Sequence, residues 1–444
     1  MNLLFLDKHD QIIKYFIIIG WILCWLSLGF NPSLLNQLTN LNEFRFENLN
    51  FFKLIDTLRG ICTLIIFPIL LFIFIKLITQ KKFLKSNFLF LVFFLFFLIQ
   101  LLGLFVTENQ KINIYYLINS INIIIICIIF KNFFSKKELI TIFNINLIIL
   151  VSIFIIFGSQ YLTTYFQNTN LHFYDIWGNI KNNYGSFIET PRPTGLSRTA
   201  LIILIISSFL LNKNNKYYYF YLTLTIICSF FIIILGSRTI LLIYFLYIIF
   251  YFFYFKIKNI KKIFLTLSKF ILIPVFFILV INQGIFFKKQ EYPKKNFKSQ
   301  NDTNIIRSYP KFNSHNLDNF SSGRLNDWKL ILTKNNNIIY GNGVMGDRYL
   351  INQSASNLII YAYASSGLFG VILIIYIYLN TIKSSISIMI RADRHYLKDY
   401  NIISSFCLFV LMLRSLLETS YGIFGIDLIL YCFFMTIITF DNKE

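Results

Sequence analysis

Charge is scarce in this sequence. Asp, Glu, Lys and Arg make up 14% of its 444 residues, where a soluble chain would carry roughly a quarter. Such a deficit excludes an ordinary water-soluble globular protein. Acid is scarcer than base, with 20 Asp and Glu against 41 Lys and Arg. The excess sits mostly in connections between apolar runs, so no nucleic-acid partner is expected. Only six cysteines occur, Cys24, Cys62, Cys127, Cys228, Cys407 and Cys432. Each lies inside an apolar run with neither metal nor disulfide spacing, so each reads as a small hydrophobe. The alternation of polar and apolar residues that marks a membrane β-barrel is missing. Also missing are a strong internal repeat and a separate soluble domain. The N-terminal "MNLLFLDKHDQIIKYFIIIGWILCWL" lacks a small-residue cleavage site and reads as a retained first span.

What is abundant is hydrophobic sequence. Apolar residues reach 56%, aromatics 19%, and mean hydropathy is +0.64. Runs such as "LFLVFFLFFLIQLLGLFV" and "SKFILIPVFFILVI" recur, and about 20 such residues cross a bilayer as a helix. The expected fold is all-α, a single polytopic bundle over 1–444. Spans are predicted at 11–30, 61–79, 87–106, 112–130, 139–158, 194–211, 217–235, 238–255, 262–282, 356–379, 401–418 and 420–440, about twelve.

Lys and Arg orient this bundle, because short cytoplasmic loops collect positive charge. "TQKKFLK", "KNFFSKKE", "NKNNKYY", "KIKNIKK" and "KSSISIMIRADRHYLK" fall on every second connection. That pattern places both termini inside. Two outer connections are larger, 159–193 and 283–355, the second Asn-rich and the only substantial mass outside the membrane. Long loops translocate regardless of charge, so its many Lys and Arg residues do not upset the topology.

Arginine at the ends of spans is harder to explain, since ionisable groups there are costly and face a cavity or a partner. Arg59, Arg198, Arg238 and Arg414 lie at the predicted outer boundary, and Arg192 lies just above Arg198. Snorkelling to the interface accounts for any one of them. Arg414 and Glu418 stand four residues apart and would pair along one helix face. Arg192, Arg198 and Arg238 together are less easily dismissed. A guanidinium offers a planar fork for phosphate oxygens, so the group suits a phosphorylated lipid head group.

These residues carry a resemblance. "RPTG" (192–195), "GSRTILL" (236–242), "SSGRLNDW" (321–328), "YGNGVMG" (340–346), "SASNLIIYAYASSGLFG" (354–370) and "LRSLLETSYGIFGIDLILY" (413–431) resemble, in order, the O-antigen polymerase and O-antigen ligase-like membrane family. The N-terminal third matches only as hydrophobic spans. The resemblance implies a bacterial inner-membrane glycosyltransferase that uses neither metal nor cofactor. It would join undecaprenyl-diphosphate-linked glycans on the periplasmic face, with a chain-length regulator as a further partner. By motif, Arg192, Arg238 and Arg324 would hold the donor's diphosphate. Arg198, Trp328, Arg348, Asn357, Arg414 and Glu418 form the wider expected set of substrate contacts. "GNG" (341–343) is expected to make a tight turn.

One departure bears on mechanism. Many members, ligases especially, carry His before the Asn of the segment that here reads "SASN", whereas this chain has Ser356. Serine cannot replace imidazole as a base, so a polymerase is favoured over a ligase. His172, His315, Asp327 and Glu418 are the alternative bases; Asp327 could instead pair with Arg324. A flippase for the same lipid-linked glycan is the reading from another class. No repeated halves or interrupted helices speak for it in the sequence.

Overall fold

In a computed structural model of the chain, residues 2–28, 51–79, 87–103, 110–167, 193–211, 216–257, 259–286, 323–391 and 398–440 are described. Among them the regular structure is helical throughout. The helices are α1 (Asn2–Leu26), α2 (Phe51–Ile78), α3 (Phe88–Leu102), α4 (Gln110–Phe133), α5 (Lys136–Gln167), α6 (Pro193–Leu211), α7 (Tyr218–Leu235) and α8 (Arg238–Tyr254). After them come α9 (Ile260–Leu267), a π-turn (Ser268–Leu272), α10 (Ile273–Phe286), α11 (Arg324–Lys334), α12 (Gly346–Ile351), α13 (Leu358–Arg391), α14 (Lys398–Ser415) and α15 (Ile426–Phe440). Seven helical stretches among the described residues are long and apolar enough to cross a membrane, and five apolar ones are shorter. Leu58–Ile78, Lys136–Thr163 and Leu358–Ile390 are among the long ones, Phe88–Leu102 and Ile426–Phe440 among the short.

A helix that is hydrophobic all round belongs inside a bundle, and three helices obey this. α4 is buried without interruption from Asn119 to Lys131, α6 from Thr199 to Leu211, and α15 from Asp427 to Ile438. Others turn large apolar side chains outward, such as Phe72 on α2, Phe253 on α8 and Phe276 on α10. The six cysteines are free thiols, five of them buried.

Polar contacts fix how the helices are threaded. Lys14 pairs with Glu138 at 2.9 Å near the start of α5. The indoles of Trp21 and Trp25 both donate to Asn146 Oδ1, at 2.8 and 3.0 Å. At the far end of α1, Tyr115 donates to the Ser27 carbonyl. Asn357 caps α13 through Ile359 and Ile360, and its amide donates to the Leu416 carbonyl beyond α14. Only Gly236 and Ser237 separate α7 from α8, with Gly236 at φ 60°. The starts of α6, α8, α13 and α15 and the ends of α7 and α14 therefore gather at one end of the bundle.

The long polar connection is more structured than expected. α10 runs on to Phe286, and α11 and α12 fold within 323–355. α13 is also not one continuous rod, because Gly367 (φ 61°, ψ −156°) breaks it nine residues in. No interrupted helix was expected from the sequence, and that expectation is corrected. Residues 335–343 fill the break. The Ala364 carbonyl accepts from the Asn342 backbone, and that of Ser365 from Gly343. Asn335 donates to the Tyr363 carbonyl at 3.1 Å, while Leu368 N–H donates to Ile338 O at 2.8 Å. Hydrogen bonds that the helix loses at Gly367 are thus replaced by the loop, as an apolar surrounding demands.

Candidate functional site

Where α6, α14 and α15 meet, three ionised side chains come together. α15 opens with "IDLIL", which puts Asp427 in its first turn, where the helix dipole favours a carboxylate. α14 ends at Ser415, so Arg414 stands in its last turn, where a cation is favoured. Arg414 Nη1 pairs with Asp427 Oδ2. Arg198, in the second turn of α6, brings Nη1 to 3.0 Å from Asp427 Oδ1. Ser420 donates to Oδ2 at 3.1 Å from a 3₁₀ turn, Ser420–Gly422.

The arrangement is buried and electrically uneven. The side chains of Arg198, Arg414 and Asp427 retain 13%, 7% and 3% of their exposure. Two guanidiniums therefore share one carboxylate, and Arg198 Nε is buried with no hydrogen-bond partner. The contact of Arg198 with Oδ1 lies within ion-pair distance, yet that oxygen receives no aligned hydrogen bond. A buried positive surplus is costly unless an anion offsets it, and so the centre is suited to receive one.

A second ion pair lies beside it. Arg324 opens α11 and brings Nη2 to 3.6 Å from Glu418 Oε1, each side chain about a quarter exposed. This overturns the predicted pairing of Arg414 with Glu418. With α14 ending at Ser415, the two do not share a helix face; Arg414 turns to Asp427 and Glu418 to Arg324. Asp327 accepts from Gln353.

The other expected residues are more dispersed. Arg238 is the first residue of α8 and is exposed, at the same end as Arg198, with no carboxylate partner among the described residues. Arg348 is exposed and donates to Met345 Sδ at 3.2 Å. Trp328 donates to the Ala355 carbonyl at 2.7 Å, and Asn357 spends its side chain on the cap and on Leu416. Both behave as braces. Arg192, His172 and His315 lie outside the described residues. Ser356 adopts φ 51°.

Two residues escaped the sequence reading. Asp427 is the hub of the centre, and its signal was a single carboxylate opening an otherwise apolar helix. Asp347 is buried in α12 and accepts from the amides of Arg348 and Ala355 at 2.9 and 2.8 Å. Burial raises its carboxyl above the usual range, against the pull of those two amides and of the Arg348 charge. The expected "GNG" turn is present, with Gly341 at φ 68° and Gly343 at φ 77°. A methyl group on Gly341 would fall 2.4 Å from the Ser365 carbonyl carbon, so glycine is required for contact as well as for φ.

No family model, curated protein or solved structure matches the chain.

Proposed function

We propose that this chain is a glycan polymerase of the O-antigen polymerase type. It would transfer a growing undecaprenyl-diphosphate-linked chain onto a new lipid-linked repeat unit at the periplasmic face of a bacterial inner membrane. The observation that carries the reading is the buried surplus of positive charge at Arg198, Asp427 and Arg414. It lies at the bundle end that also presents Arg238 and the Arg324–Glu418 pair. In this reading the five shorter apolar helices cross the membrane with the seven longer ones, giving twelve spans with both termini inside. The larger connections then stand in the periplasm.

The chemistry asked of the site is charge stabilisation. As the acceptor's sugar hydroxyl attacks the anomeric carbon, the bond to the diphosphate breaks and negative charge grows on the leaving group. Preorganised guanidiniums in a dry site lower that barrier. Arg192, Arg238 and Arg324 take the diphosphate as the resemblance implies. Arg198 and Arg414, held ready by Asp427, complete its surroundings, while Trp328, Arg348 and Asn357 frame the sugar side. No metal takes part, and a strong base is dispensable where departure of the diphosphate leads.

Deletion of the gene followed by analysis of surface polysaccharide tests this. A polymerase mutant keeps single repeat units on the acceptor and loses the ladder. Loss of every unit refutes the polymerase and points to a ligase or flippase. Arg192→Ala, Arg198→Ala and Arg238→Ala should each abolish extension while the protein stays in the membrane; normal ladders from all three would end the diphosphate reading.

A flippase is the second reading, and the break in α13 favours it, since transporters bind substrate at interrupted helices. Here, however, the carbonyls beside the break are occupied by Asn335, Asn342 and Gly343. They are not left open to a substrate, so the polymerase stands first.

A further inference from the structure

The segment that fills the break in α13 carries an apolar tip, Ile338–Ile339–Tyr340, and all three side chains are about half exposed. The tip is firmly held. Ile338 O accepts from Leu368 N–H at 2.8 Å, and the Tyr340 ring stacks on Phe369 at 6.2 Å and 26°. Gly367 admits the segment so closely that a methyl group there would fall 2.3 Å from the Ile339 carbonyl. A rigid, half-exposed apolar tip beside exposed Leu368 and Phe369 needs a cover.

Its position identifies the cover. Leu368, Ile372, Ile375 and Leu379 recur at helical spacing on α13 and are all exposed, a stripe that faces lipid if the chain spans a bilayer. The tip prolongs this stripe at its outer end. Its height is set by the adjoining turn, because Gly343 abuts Gly103 at the end of α3 closely enough that a methyl on Gly103 would fall 2.0 Å from Gly343 N. α3 is apolar apart from the buried Gln100, so in the membrane reading its end lies near the edge of the hydrocarbon. The tip therefore lies where a Tyr ring and aliphatic side chains settle at a membrane interface.

We infer that Ile338–Tyr340 is an interfacial wedge, inserted in the outer leaflet beside α13, that takes lipid acyl chains as its partner. It holds α11 and α12, and with them Arg324 and Arg348, at the height of lipid phosphates. The inference rests on the membrane reading above but not on the reaction.

The test is nitroxide labelling of the full chain in vesicles of phosphatidylethanolamine and phosphatidylglycerol. A cysteine is introduced at Ile339, at Leu379 or at Lys334, with the parent chain as the labelling background. The label at 339 should be relaxed more by oxygen than by a water-soluble nickel chelate, as at 379, with the order reversed at 334. A label at 339 that behaves like 334, or is shielded from both relaxants, overturns the wedge. Failure of 379 to prefer oxygen rejects the membrane reading itself. Should the Ile339 variant not fold, Tyr340→Cys reads the same depth.

Discussion

Two regions of this molecule place polar groups in apolar surroundings, and they do so in opposite ways. The segment 335–343 is neutral and saturated. Asn342 donates to Asn335 Oδ1 and to the Ala364 carbonyl, Asn337 donates to Asn342, and the backbone closes on the carbonyls of the broken helix. The centre at Asp427 is charged and incomplete, with two guanidiniums on one carboxylate and one buried N–H unused. A saturated network specifies a shape and has little left to bind with. An unbalanced charge centre costs stability and attracts an anion. The first is read as architecture, the second as a site.

That contrast can be broken by substitution. The largest effect is expected at the charged centre, where Asp427→Ala leaves two uncompensated buried guanidiniums and should cost about 3–5 kcal/mol. Thermal unfolding in detergent would record it, with partial recovery when phosphate or diphosphate is added. An equal cost from Arg198→Ala would show that the surplus is needed for folding, which would undo the distinction. In the saturated region Gly341→Ala should cost about 2–4 kcal/mol, since φ 68° and the Ser365 contact both exclude a side chain. Anion addition should not rescue it.

Smaller effects sharpen the same line. Asn342→Ala removes hydrogen bonds on both sides of the loop and should cost roughly 1–3 kcal/mol, seen as faster amide exchange at Gly343 and Leu368. Arg324→Ala breaks a pair that is about a quarter exposed and should cost under about 1 kcal/mol. Because the proposed role of Arg324 is to meet substrate, its loss should nonetheless shorten the polysaccharide ladder. A silent ladder would return Arg324 to the surface.

The helical class, the apolar spans and the basic connections follow from the sequence, because a run of some 20 apolar residues has few stable alternatives to a buried or lipid-facing helix. "GNG" announced a turn, and "LRSLLETSYGIFGID" held both partners of the central ion pair in plain view. The pairing itself was not legible. Spacing of four suggested Arg414 with Glu418, but α14 stops at Ser415 and the chain turns back, which gives Arg414 to Asp427. Spacing within one helix is fixed by the local period, whereas a contact between helices depends on where each ends and how the bundle is threaded. The break at Gly367 belongs to the same class: "ASSGLFG" continues a helical pattern, and only a distant segment offering N–H groups to its carbonyls makes an interruption tolerable. Local sequence thus determined which segments are helices and which end of each carries charge. Tertiary structure alone decided which charges meet, because that choice follows the cost of burying each one unpaired.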